Sequence, residues 1–195
     1  MNRTWNFEKG AWQAEDFLSA ASSRVEYRLT FGQKDDCIHN EGADKMDEYA
    51  YVSMVHRTPV SLPCLLETEC SFRTYGAPLL ILADAVDTLP DGRLQYGHHI
   101  EVVGWEKGIN VWDLTPDPEA PNGQRTVNLG RFSFPIEDGA RFLLTARADR
   151  QGLVVGAEVN GRSAQFDCPC VLPEKCYVGI TACAGENYFY RFSIR

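Results

Sequence analysis

Residues 96–114 read YGHHIEVVGWEKGINVWDL and hold a dense group of side chains able to do chemistry. Imidazole, carboxylate, amide and indole alternate there with aliphatic residues. If the chain reverses at Glu106-Lys107, Trp105 pairs with Gly108, Gly104 with Ile109, Val103 with Asn110, Val102 with Val111 and Glu101 with Trp112. Strand side chains alternate between faces. Ile100, Val102, Ile109 and Val111 then form a core face, while His99, Glu101, Val103, Trp105, Asn110 and Trp112 share the other. A three-residue loop would mix the two sets, so the apolar pattern itself selects the register.

That second face has what a sugar site requires. A pyranose offers an apolar C–H face that stacks on indole and hydroxyls around its edge that need planar donors and acceptors. Trp112 or Trp105 would supply the platform, His99, Glu101 and Asn110 the edge contacts, and Tyr96 with Trp105 the rim. Glu101 beside His99 is also suited to acid–base work, since burial and proximity tune both groups. An outer sheet face with its indoles packed beneath a loop would show the same pattern.

Other groups are less specific. Adjacent His98 and His99 point to opposite faces of a strand, so they are not a chelating pair; a structural role is expected for His98. Arg147 shares a strand face with Arg141 and Thr145. Glu158 on the next strand suits it for a cross-strand ion pair; on the same face as His99 and Trp112, it would contact a glycan instead. The spacing C-x-C-x5-C-x6-C of Cys168, Cys170, Cys176 and Cys183 lacks the paired knuckles of a thiolate zinc site, and no metal or cofactor is expected. Asp35-Asp36 and Asp44, Asp47 and Glu48 read as a solvated acidic loop region. No G-x-S-x-G elbow or phosphate loop occurs, which leaves acyl transfer and nucleotide chemistry without support.

The elements that must position these groups are nearly all strands. Helical periodicity is confined to a turn or two at Glu15–Ser23 and Ala43–Glu48. Strand signals recur between Gly, Pro, Asn and Asp clusters, among them Arg24–Phe31, Ala50–Arg57, Cys64–Arg73, Leu79–Ala83, Thr126–Phe134, Tyr177–Cys183 and Tyr188–Ile194. Asn160-Gly161 is the preferred pair for a type I′ hairpin. With Arg150-Gln151-Gly152, it makes Arg141–Asp167 a three-stranded meander. So many short antiparallel strands require two packed sheets, a sandwich or jelly roll. No linker or repeat divides the 195 residues, so one domain spanning 1–195 is expected.

Composition narrows the partners. With 19 Lys+Arg against 27 Asp+Glu, the formal charge is −8, which disfavours binding to nucleic acid or to anionic lipid. Pro78–Ala83 is too short to cross a bilayer, so no membrane partner is expected. The start, MNRTWNFEKGAWQAEDF, lacks the roughly 7–15-residue apolar core of a signal peptide. Seven cysteines, an odd number, then read as reduced thiols in a cytoplasmic protein.

The segments WNFEKGAWQAEDF, EVVGWEKGINVWDL and LVVGAEVNGRSAQFD…KCYVGITACAGENYFYRFSIR together resemble the concanavalin A-like lectin/glucanase superfamily, laminin-G-like modules included. The resemblance implies an all-β, two-sheet antiparallel jelly-roll sandwich whose last strand, Tyr188–Ile194, lies near the first. It also implies an oligosaccharide or polysaccharide fragment as partner, bound on the concave sheet face. The superfamily's glucanases carry three carboxylates as E-x-D-x-E; the strand HHIEVVGW has only Glu101. Hydrolysis by paired carboxylates needs a second at about 5–5.5 Å or 6.5–9.5 Å, which Glu158 or Asp84 would have to bring from another strand. The expected function is therefore lectin-like carbohydrate binding. The alternatives are a glycoside hydrolase or polysaccharide lyase using Glu101 or His99, a lyase drawing further on Asn110 and Arg147, and a non-catalytic interaction module that forms a homodimer or docks a partner.

Overall fold

The computed structural model describes residues 2–23, 30–40 and 51–195. The expected turn at Ala43–Glu48, the acidic residues Asp44, Asp47 and Glu48, and most of the strand expected at Arg24–Phe31 fall outside them. Among the described residues the chain forms β1 (Arg3–Asn6), β2 (Phe17–Leu18), β3 (Phe31–Gln33), β4 (Ile38–Asn40), β5 (Val52–His56) and β6 (Val60–Ser61). It continues with β7 (Cys64–Arg73), β8 (Ala77–Ala83), β9 (Val86–Thr88), β10 (Leu94–Tyr96), β11 (His99–Trp105) and β12 (Gly108–Pro116). The last six are β13 (Gln124–Ser133), β14 (Phe142–Asp149), β15 (Gly152–Val159), β16 (Arg162–Pro169), β17 (Lys175–Cys183) and β18 (Glu186–Ile194). A single 3₁₀ turn at Ala14–Asp16 replaces the helical turns expected at Glu15–Ser23, because Phe17 and Leu18 pair with His56 and Val55 instead.

Two sheets of eight strands face one another as an antiparallel jelly-roll sandwich. The front sheet runs β13-β12-β11-β8-β17-β5-β2, with β6 beside β17; the back sheet runs β16-β15-β14-β7-β18-β4-β3, with β1 beside β18. Arg3 pairs with Ile194 and Asn6 with Arg191, so the first strand does close on the last. The expected meander is β14-β15-β16. At its second turn Asn160 and Gly161 take φ of 51° and 74°, the left-handed pair that the Asn-Gly dipeptide accommodates.

The core lies between the sheets. Phe72, Phe142, Phe189 and Phe192 from the back sheet meet Leu80, Leu82, Ile100, Val102, Val178 and Ile180 from the front. Gly104 is the core-facing position of β11 with no side chain. Phe142 occupies that space, and a Cβ at Gly104 would sit 2.8 Å from its ring. The N-terminal motif seals one part of the core, where Trp5, Phe7 and Phe17 pack ring against ring and the Trp5 indole donates to Asp16 Oδ2 at 2.8 Å.

The front sheet is buried on both faces at its centre. A second apolar cluster joins Val55, Leu79, Ile81, Ala83 and Val103 on the outer face to Ala20 and Tyr96, which lie over it. This explains the unbroken apolar run PLLILA in β8, where Pro78 to Ala83 are all buried.

Cys37, Cys64, Cys70, Cys168, Cys170 and Cys176 are free thiols. Burial pushes Cys64 and Cys170 from an ordinary 9 up to about 11, and Cys176 up to about 12. Folding therefore holds these thiols neutral where the unfolded chain would ionise them. Their contribution to stability is fully present below pH 9 and is lost as the pH rises from 9 through 12. Urea midpoints of the reduced protein are expected to fall steadily across that alkaline window. Truncating Phe142 to Ala should cost about 3–5 kcal/mol, lowering the melting temperature by about 10 °C, as read by calorimetry.

Candidate functional site

The hairpin β11–β12 adopts the register that its apolar pattern demands. Trp105 pairs with Gly108, Gly104 with Ile109, Val103 with Asn110, Val102 with Val111 and Glu101 with Trp112. A two-residue turn at Glu106-Lys107 makes this parity, and Gly108 ends it with φ 139°. The register shift nearby lies on the other side, between β12 and β13 at Val111/Trp112, and leaves the hairpin intact. Ile100, Val102, Ile109 and Val111 thus enter the core, and Glu101, Val103 and Trp112 face outward from the front sheet.

On that outer face lies a cavity of about 270 Å³ lined by Leu79, Glu101, Val103, Trp112, Leu114, Thr126 and Cys183. Five neighbouring strands supply it: β13, β12, β11, β8 and β17. Its walls are mostly apolar, with three aliphatic side chains, one indole and, among the described residues, a single carboxylate. Its volume equals that of about nine waters at roughly 30 Å³ each, the scale of one sugar ring.

Glu101 is 2% exposed and is held in place from two sides. The Tyr51 hydroxyl donates to its Oε1 at 2.9 Å, and His99 Nε2 lies 3.9 Å from the same oxygen. His99 Nδ1 lies 2.8 Å from the Gly97 carbonyl oxygen, which sets the ring's orientation. Next to this group runs a second buried chain: Ser53 Oγ lies 2.5 Å from both the Tyr96 hydroxyl and Thr181 Oγ1. Burial pushes the Tyr96 phenol well above its ordinary 10.

The structure redistributes several expected site residues. Tyr96, expected at the rim, is fully buried, because the 94–96 segment folds over the sheet and Ala21 pairs with it. The His99 side chain is likewise buried and does not line the cavity; its Nε2 lies 3.9 Å from Glu101 Oε1. Asn110 and Trp105 share the outer face but lie at the hairpin end. There Arg131 Nε donates to Asn110 Oδ1 at 3.2 Å, and the Lys107 and Arg131 cations lie over the Trp105 ring. Arg147 is on β14 in the back sheet, outside the cavity. It pairs with Val154 and Leu65, while Glu158 pairs with Leu143, so the expected Arg147–Glu158 cross-strand pair does not form. His98 is half-buried in the bend just before β11, with Nε2 2.9 Å from Asp113 Oδ1.

Sequence reasoning missed Tyr51, Leu79, Leu114, Thr126 and Cys183. Each sits in or beside a predicted strand, but only the order β13-β12-β11-β8-β17-β5 brings them together. Among the described residues no group of three His, Cys, Asp or Glu is placed to hold a metal ion, and no helix is long and apolar enough to cross a membrane.

No family model matches the chain, and no curated protein does. Solved structures match its fold along most of its length. The carbohydrate-binding module CBM66 from Bacillus subtilis superposes with a TM-score of 0.60 at 11% identity, over 89% of this chain and 91% of that one. The VIP36 exoplasmic/lumenal domain in its Ca2+/Man3GlcNAc-bound form gives 0.57 at 12% identity, over 92% and 82%. Lectin UEA-II complexed with galactose gives 0.59 at 9% identity, over 100% and 97%. The fold these structures share with this chain is the two-sheet antiparallel jelly-roll sandwich that the sequence resemblance implies.

Replacing Tyr51 by Phe removes the hydroxyl that holds Glu101. The variant is expected to lose about 1–3 kcal/mol of stability, measured by urea denaturation at pH 7.

Proposed function

We propose that this chain is a lectin-like carbohydrate-binding domain that takes one sugar residue of an oligosaccharide into the cavity beside Trp112. The observation that carries the reading is the pairing of the Trp112 indole with the fixed Glu101 carboxyl across adjacent strands, in an apolar recess of sugar size. The indole accepts the C–H face of a pyranose, and the carboxyl oxygens accept hydrogen bonds from its edge hydroxyls. Thr126 adds a hydroxyl on the β13 side. The likeness to a carbohydrate-binding module and to a galactose-bound lectin supports this class of ligand.

Binding without bond cleavage is the better reading of the two. A glycosidase of the usual type needs two carboxylates flanking the scissile bond, and among the described residues that line the cavity Glu101 is alone. Asp113 is engaged with His98 on the other side of β12, and Glu158 belongs to the back sheet. A cytoplasmic setting would pair this domain with imported, partly degraded oligosaccharides rather than intact polysaccharide.

Native mass spectrometry of the protein with a mixed oligosaccharide pool is expected to show an intact glycan adduct and no new masses in the pool. Shortened or unsaturated products would make the protein an enzyme acting through Glu101. The Trp112→Ala variant should keep its melting temperature within a few degrees and lose affinity at least tenfold; unchanged affinity would remove this cavity from consideration. The same spectra report whether the chain is a monomer or a homodimer.

A further inference from the structure

The back sheet carries a second recess of opposite chemistry. Its volume is about 160 Å³, and Lys34, Ser71, Arg73, Gly139, Tyr188 and Tyr190 line it. Alternation on β7 sends Leu66, Thr68, Cys70 and Phe72 into the core, so Ser71 and Arg73 face outward, away from the other sheet. Tyr188 lies opposite Ser71 on β18, and Glu186 lies opposite Arg73. Tyr190, two residues after Tyr188, shares that outer face, where its hydroxyl is 3.0 Å from Ser71 Oγ.

The polar groups of this recess are arranged unevenly. Arg141, stacked on the Tyr190 ring at 3.5 Å, is committed to Asp36 and Glu69. The Tyr188 hydroxyl donates to Glu186 Oε2 at 2.6 Å, which occupies one oxygen of that acid. Lys34 Nζ is held over the Tyr188 ring at 4.6 Å. The lining therefore contains an ammonium and a guanidinium and, among the described residues, no carboxylate, in a chain with a net charge of −8. Ser71 and Tyr190 have two hydroxyl hydrogens between them and use one on each other, so the other is left to donate.

We propose that this recess is an oxyanion site, independent of the cavity beside Trp112, that takes a phosphate, sulfate or carboxylate group. Lys34 provides a point charge, Arg73 a planar fork of N–H donors, and the Ser71–Tyr190 pair one further hydrogen bond. The volume, that of about five waters at roughly 30 Å³ each, suits one such group with a few attached atoms. The group arrives either as a free inorganic anion or on an acidic sugar.

The test is a titration of the uniformly ¹⁵N-labelled full chain with sodium phosphate, sodium sulfate and sodium glucuronate, at constant ionic strength made up with sodium chloride. Saturable shifts of the Lys34, Arg73 and Gly139 amides are expected, with the chloride series silent. The Arg73→Gln variant should raise the midpoint at least tenfold, and Lys34→Gln provides the same readout if the first variant fails to fold. A lower midpoint for glucuronate assigns the site to an acidic sugar, and a lower one for phosphate or sulfate to the free anion. Shifts that rise linearly, that chloride reproduces, or that keep their midpoint in a folded variant would overturn the proposal. Trp112→Ala should leave this titration unchanged, which separates its outcome from that of the sugar cavity.

Discussion

A slip of β11 by one residue against its neighbours would turn His99, Glu101 and Val103 into the core and bring Ile100 and Val102 out of it. The cost is prohibitive, because it would move a carboxylate and an imidazole from their polar partners on the outer face into the apolar core and take two aliphatic side chains out of that core. The two-residue turn at Glu106-Lys107 and the bare Gly104 position beside it, filled by Phe142, hold this register at the hairpin end. Everything proposed for the front face depends on it, since the same alternation that packs the core presents Glu101 beside Trp112.

The second constraint is that the front sheet is covered on both sides. Its inner face packs on the back sheet, and the outer face of β8 is roofed by Ala20 and Tyr96. A roof of this kind brings polar groups into a dry environment, where each must find a partner. The bonds Tyr51–Glu101, Tyr96–Ser53 and Ser53–Thr181 do this, and the first of them orients the Glu101 carboxyl. Preorganisation of this sort lowers the ordering cost of binding. On the outer face of the back sheet Lys34 and Arg73 are exposed and Tyr188 and Tyr190 partly so, which gives the two faces different chemistry.

Much of the architecture is legible along the chain because it is local. The β11–β12 register follows from aliphatic spacing, the β15–β16 turn from the left-handed tolerance of Asn160-Gly161, and the double burial of β8 from the run PLLILA. The site was only partly legible. Glu101, Trp112 and their pairing could be read from the hairpin, whereas the partners that hold Glu101 could not. Tyr96 looked like a rim residue and His99 like an edge contact because nothing local reveals that residues 94–96 fold over the sheet. Arg147 looked like a contact for a similar reason, since alternation gives its face but not its sheet.

The sequence by itself determined which side chains share a strand face, where the tight turns fall, and that two packed sheets are required, since these depend on a period of two residues and on backbone φ preferences. Only the tertiary structure decided the order of strands across each sheet. That order sets Thr126, Trp112, Glu101, Leu79 and Cys183 around one cavity and places Lys34, Arg73 and Tyr190 around another. Strand order is settled by the burial of whole faces and the pairing of buried polar groups across distances of about 50 to 130 residues, as in Tyr51 with Glu101 and Ser53 with Thr181. No local pattern carries those separations.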